Sequence, residues 1–138
     1  MMITRTNPPV DYLGADVFDA FAFRQSVRAG DTVYYAGVAP LKGTLDTLEL
    51  VGAGDMAAQL HYVLGVIDAC LAADGLDRTS LVTWTFYTTD ITGFMAVMPA
   101  ILGPWVGEHR PSSTTVEVRA FVHPDQLLEI TASAVDVC

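Results

Sequence analysis

The amino-acid sequence predicts an α+β domain whose strands and helices follow the order ββαβαββ, with both helices on one face of a mixed sheet. Three observations carry this. The 138 residues make one ordinary domain, 1–138, and 51% hydrophobic against 17% charged residues exclude disorder and imply a well-filled core. Between Asp55 and Gly75, apolar residues recur at three- and four-residue steps, the stripe of a helix packed on a sheet. Around it stand β-rich runs that alternate with helices only in part, which favours a mixed sheet over a fully parallel one.

Residues 1–16 read as an irregular lead-in carrying Pro8-Pro9 and Gly14. Phe18 to Val27 is expected as a strand, with Phe21 and Phe23 on one face. Ala29-Gly30-Asp31 marks the turn into a second strand, Thr32 to Gly37, so the two form a hairpin. Pro40 to Gly54 reads as a loop. Asp55 is a good N-cap for the first helix, and Gly75 suits its C-terminal cap. Leu81 to Thr89 is the clearest strand, with Thr83, Thr85 and Tyr87 alternating against Val82, Trp84 and Phe86. Asp90 caps a second helix to about Val106, which Pro99 and Gly103-Pro104 are expected to bend or shorten. Pro111-Ser112-Ser113 breaks the pattern, and two strands follow, Thr114 to Phe121 and Leu127 to Val137, joined at His123-Pro124-Asp125.

Net charge is −9, and the seven Lys and Arg are scattered, so a nucleic-acid partner is not expected. No run of about 18 uncharged apolar residues predicts a membrane span, and the first residues lack a signal-peptide core. Two cysteines, Cys70 and Cys138, make no disulfide framework, so a reducing cytoplasm is the expected compartment.

His61, His109 and His123 have no metal-binding spacing and no cysteine partner, so no metal site is expected; His61 reads as a polar helix position and His123 as a turn residue. No nucleophile elbow, Walker loop or dinucleotide fingerprint is present. Cys70 falls in an apolar helical stripe, the setting of an inert packing residue. Glu117 and Arg119 share a strand face and read as a local charge pair. Glu129 lies in Leu127-Leu128-Glu129-Ile130-Thr131-Ala132-Ser133-Ala134, on one face with Thr131 and Ser133. A carboxylate on so apolar a strand is either part of a solvated outer face or near a cleft or interface.

Five marks in register give the chain its kinship. They are Asp55 to Gln59 opening the first helix, Ala72-Ala73-Asp74-Gly75-Leu76 closing it, Thr89-Asp90 with Phe94 beyond, His109-Arg110-Pro111 before Thr115-Val116-Glu117-Val118, and Pro124 before Leu128-Glu129-Ile130. With Ala29-Gly30-Asp31 before Tyr34-Tyr35-Ala36-Gly37, this resembles the RidA/YjgF family over about residues 17 to 136. The resemblance implies a chorismate mutase-like fold and a homotrimer with clefts between subunits. It also implies hydrolysis of reactive enamines and imines without metal or organic cofactor.

The family Glu on the last strand falls on Glu129. The family Arg that binds a substrate carboxylate falls on Ser113, an Asn on Met98, a Tyr on Phe23, a Ser or Thr on Ala36 beside Gly37, and a Cys on Thr115. The resemblance therefore implies a site of Glu129 with Phe23, Ala36, Gly37, Met98, Ser113, Thr114 and Thr115, rebuilt to be less polar. Serine cannot replace a bidentate guanidinium, so an uncharged, partly apolar ligand is favoured. Two functions follow from this. One is a cofactor-free hydrolase, deaminase or tautomerase of a small imine, enamine or related carbonyl compound, with Glu129 moving the proton or water. The other is a non-catalytic trimer that binds a small molecule. A specialised biosynthetic cyclase or hydrolase on the same scaffold is also open.

Overall fold

The computed structural model describes residues 2–137. Its main sheet has six strands in the order β1-β2-β3-β8-β6-β7, built from β1 (Ile3–Thr6), β2 (Ser26–Ala29), β3 (Thr32–Val38), β6 (Leu81–Thr88), β7 (Ser112–Glu117) and β8 (Leu128–Val135). Every pairing is antiparallel except β6 with β7, so the sheet is mixed. A small hairpin, β4 (Leu41–Lys42) with β5 (Glu49–Leu50), stands apart. The helices are α1 (Ala15–Ala20), α2 (Met56–Ala73) and α3 (Ile91–Val106).

Helix α2 begins where Asp55 accepts a hydrogen bond from the Ala58 N–H and ends before Gly75, whose φ of 73° needs no Cβ to be relieved. Its buried stripe of Leu60, Val63, Leu64, Ile67 and Leu71 packs with Leu128, Ile130, Ala132 and Ala134 of β8. By length and composition alone α2 could cross a membrane, but this stripe is core, as in the central helix of a globular domain. Trp84 and Phe86 of β6 complete the same layer, with Trp84 stacked on Trp105 of α3 and Phe86 against Phe94. Arg78 clamps α3 to α2 by gripping Asp68 through two N–H groups and lying 4.3 Å over the Trp105 ring.

Five expectations are corrected. The lead-in is not wholly irregular, because Ile3–Thr6 forms edge strand β1 against β2. Phe18 to Val27 is not one strand. Val17 and Phe18 are buried by the short helix α1, Ala22 turns the chain at φ 59°, and the strand starts only at Ser26. The 40–54 loop contains the β4–β5 hairpin. Helix α3 runs unbroken through Pro99 and Pro104. Each proline removes one N–H, and the carbonyls deprived of it belong to Met95 and Ala100, both exposed and open to water. Finally, the strand expected over Thr114 to Phe121 instead runs from Ser112 to Glu117, parallel to β6 at the sheet's edge.

Glu117 makes no pair with Arg119; its Oε1 accepts from the Ile91 N–H at the start of α3, 3.1 Å away. Cys70 is buried in the core, and burial pushes its thiol up to about 12, which fits an inert packing role. Cys138 lies outside the described residues.

Candidate active site

The face of the sheet opposite α2 carries Glu129. Alternation along β8 buries Leu128 and Ile130 toward the helices and turns Glu129 the other way, beside Tyr87 of β6. Strand β3 is irregular at this point. Tyr35 pairs with Ala132 and Val38 with Ile130, so Ala36 and Gly37 both oppose the single residue Thr131. That bulge sets Gly37 beneath the Glu129 side chain. A Cβ on Gly37 would stand 2.5 Å from Glu129 Oε2 and 2.9 Å from its Cδ, so the carboxyl occupies space that only glycine leaves open. The bulge is held from β2's side by Gln25, whose Nε2 donates to the Ala36 carbonyl at 3.0 Å.

Glu129 forms one wall of a cavity of about 490 Å³. Tyr12, Val17, Phe23, Leu41 and Leu48 make much of the rest, with His123 at the turn before β8. Glu129 is half-buried and has no ion-pair partner among the described residues. Burial raises its carboxyl above the ordinary value, and a 3.5 Å contact from Gln126 Nε2 opposes this only weakly. It neither faces bulk solvent nor pairs with a cation, so the solvated-face reading of this residue is set aside.

The turn that delivers Glu129 hangs on buried amides. Gln59 of α2, fully buried, accepts from the Leu127 N–H at 2.8 Å and donates to the carbonyls of Asp125 and Gly52, both at 3.1 Å. Gln126 donates to the Leu128 carbonyl at 3.1 Å. Thr88 closes the far side by donating to the Leu127 carbonyl at 2.8 Å.

Of the residues expected to share a site, Phe23 and Gly37 lie in the cavity with Glu129, and Ala36 forms the bulge beside it. Met98 and Ser113 lie elsewhere, in a groove of about 400 Å³ between α3 and the outer strands, together with Trp84, Leu102 and Arg110. Ser113 is in register with Trp84 and so faces the helices, the opposite side of the sheet from Glu129. It is also two strand spacings across and three residues along the sheet from Glu129, about 14 Å in all. Thr115, beside Phe86, shares Ser113's face, and Thr114, beside Thr85, takes the other. Within one chain the two groups therefore do not meet. Tyr12, His123, Gln59 and Gln126 were missed by sequence reasoning. Long-range packing brings them to Glu129, and only the place of His123, six residues before Glu129, hinted at it.

The comparisons with known proteins agree with this architecture. A family model described as Endoribonuclease L-PSP matches residues 17–136. The chain is 35% identical over 109 residues to Protein DfrA of Myxococcus xanthus, covering 79% of each. Among solved structures it is similar to Rv2704 of Mycobacterium tuberculosis, a member of the YjgF/YER057c/UK114 family. That match has a TM-score of 0.76 and 28% identity, and covers 97% of this chain and 99% of the other. Yeast Mmf1 gives a TM-score of 0.82 at 18% identity over 98% of this chain and 99% of its own, a likeness of fold alone. The match over residues 17–136, with the sheet and helices described above, places this chain in the YjgF/RidA family, the family of the Endoribonuclease L-PSP model.

Proposed function

We propose that the protein is a cofactor-free enzyme acting on a small imine, enamine or related carbonyl metabolite by hydrolysis, deamination or tautomerisation, with Glu129 as its acid–base group. One observation carries this: a carboxyl with no cation beside it, its pKa raised by burial, is held over a glycine in an apolar cavity. A raised carboxyl is suited to proton transfer near neutral pH. The reading includes a homotrimer in a reducing cytoplasm. Assembly would let the Met98–Ser113 groove of one copy meet the Glu129 cavity of the next, since one chain keeps them on opposite faces.

The test is Glu129→Gln, which keeps shape and hydrogen bonding. The variant should fold and assemble while hydrolysing small uncharged imines about 10²–10⁴-fold more slowly than wild type. Full activity of the variant on imines that the wild type clears would end the proposal.

The non-catalytic alternative, a trimer that binds a small molecule, is favoured by one specific observation: Ser113 stands where the family Arg is expected, and the Glu129 cavity is lined mainly by apolar side chains. An RNA substrate, which the name of the family model suggests, is disfavoured by the net charge of −9 and seven scattered Lys and Arg.

A further inference from the structure

Two side chains in the Glu129 cavity carry hydrogen-bond donors that the fold does not use. Tyr12 is buried, and its hydroxyl oxygen accepts from the Ala39 N–H at 3.0 Å. Its own proton finds no acceptor among the described residues. Burial raises the phenol far above its usual value, with the Glu129 charge adding to the effect, so the proton stays on. The second group is His123. Its Nδ1 accepts from the Asp125 N–H at 3.0 Å, which fixes the neutral ring as the tautomer with hydrogen on Nε2. That Nε2–H has no partner among the described residues. The cavity thus holds one acceptor acid, Glu129, and two unspent donors, Tyr12 and His123, among apolar walls with no Arg or Lys.

Resting on the reading of this cavity as the active site, we propose that it takes a small, uncharged, largely apolar carbonyl compound, whose oxygen is held by Tyr12 O–H and His123 Nε2–H and whose α-carbon faces Glu129. The chemistry balances without a co-reactant. The Glu129 carboxylate takes an α-proton, the C–H pair becomes the C=C bond, and the carbonyl π pair moves onto oxygen. There the two donors stabilise the enolate. Return of the proton to carbon regenerates the ketone, and in D₂O the returning particle is a deuteron. A carboxylate on the ligand is refused, because it would enter beside Glu129 with no cation to receive it.

The full-length protein is tested with three probes of nearly one shape: phenylacetone, phenylpyruvate and propylbenzene. Affinity is read by calorimetry, and deuterium uptake at the benzylic carbon of phenylacetone by proton NMR. Phenylacetone should bind at least tenfold more tightly than either of the others and should exchange faster with protein than without. His123→Asn keeps a side-chain acceptor for the Asp125 N–H but deletes the Nε2 donor. It should lower the phenylacetone affinity about tenfold, the equivalent of one hydrogen bond, and leave propylbenzene binding unchanged. Tyr12→Phe should act in the same direction, with its folding checked separately because the Ala39 N–H loses its acceptor. Glu129→Gln should abolish exchange while phenylacetone still binds. The inference is overturned if phenylacetone binds no better than propylbenzene, or if His123→Asn and a folded Tyr12→Phe leave their ratio unchanged. Either result leaves the Glu129 enzyme reading standing. Donor-dependent binding without exchange supports the ligand class and removes Glu129 as base.

Discussion

Gly37→Ala isolates the contact on which the Glu129 geometry rests. The added Cβ would lie 2.5 Å from Oε2, 2.9 Å from Cδ and 3.3 Å from Cγ of Glu129. Ordinary contact between such atoms is about 3.5 Å, so the carboxyl must retreat by about 1 Å. The backbone has no reason to object, because Gly37 is not among the residues with left-handed φ. Removing a glycine from the unfolded chain stabilises by about 0.4–1 kcal/mol. Forcing a side chain off its rotamer costs about 0.5–1.5 kcal/mol. The two nearly cancel, so the melting temperature should move by no more than about 3 °C for a domain of this size. Activity should fall by about 10²-fold, the usual consequence of a 1 Å misplacement at a reacting group. The assay pairs thermal unfolding with a carbon-13 titration of the Glu129 carboxyl, which should drop toward its ordinary value as the group swings toward water. In a Glu129→Ala background the clash is gone, and the same Gly37→Ala change should stabilise. Two outcomes refute the reasoning: a Glu129 titration and rate unchanged by Gly37→Ala, or a loss of more than about 3 kcal/mol, which would place the strain in the backbone of the bulge.

Three further predictions follow from the same geometry. Because burial raises the Glu129 carboxyl, the folded state binds that proton more tightly than the unfolded chain. Stability therefore falls as pH rises from the ordinary carboxyl range through the raised value, and is level above it. Glu129→Gln should thus gain stability relative to wild type as pH rises from the ordinary carboxyl range through the raised value, and a difference that stays flat with pH would count against a desolvated carboxyl. Ser113→Arg should raise clearance of carboxylate-bearing imines if the groove holding Ser113 and Arg110 completes the site in an assembly, and an unaltered rate would separate the two regions functionally. Sedimentation at micromolar concentration should give three times the chain mass, and a clean monomer would remove the assembled cleft.

Where local signals coincide, the sequence was a sufficient guide. Helix α2 has a capping Asp55, an unbroken apolar stripe and a terminal Gly75, and each says the same thing. Glu129 was legible because period two on β8 separates it cleanly from Leu128 and Ile130. Helix α1 is only six residues long and buries just Val17 and Phe18, too little for a 3.6-residue period to beat the accidental alternation of Phe21 and Phe23. Strand β1 is exposed at all four positions, and β7, Ser-Ser-Thr-Thr-Val-Glu, is half-buried only at Thr115, so neither carries an apolar rhythm. Both are edge strands, specified by their neighbours more than by themselves. Tyr12 and His123 reach the cavity from segments 111 residues apart, a placement that no local pattern encodes.

Gln59 has a consequence for how such a site can change over generations. Its amide fixes the 123–127 turn to α2 by bonding backbone groups of Asp125 and Leu127, so the hold is indifferent to most side chains on the turn itself. Residues at 122 and 124 are therefore free to be exchanged without loosening the strand that follows, and position 123 takes any side chain that still accepts from the Asp125 N–H, so the polar equipment facing Glu129 can change with them. A change at Gln59 has the opposite character, since it removes a hydrogen-bond partner from backbone groups at three places together, Gly52, Asp125 and Leu127. Novelty in ligand preference is cheap at the turn and nearly closed at the helix, so divergence among proteins of this design should accumulate at the mouth of the cavity while the amide beneath it stays put.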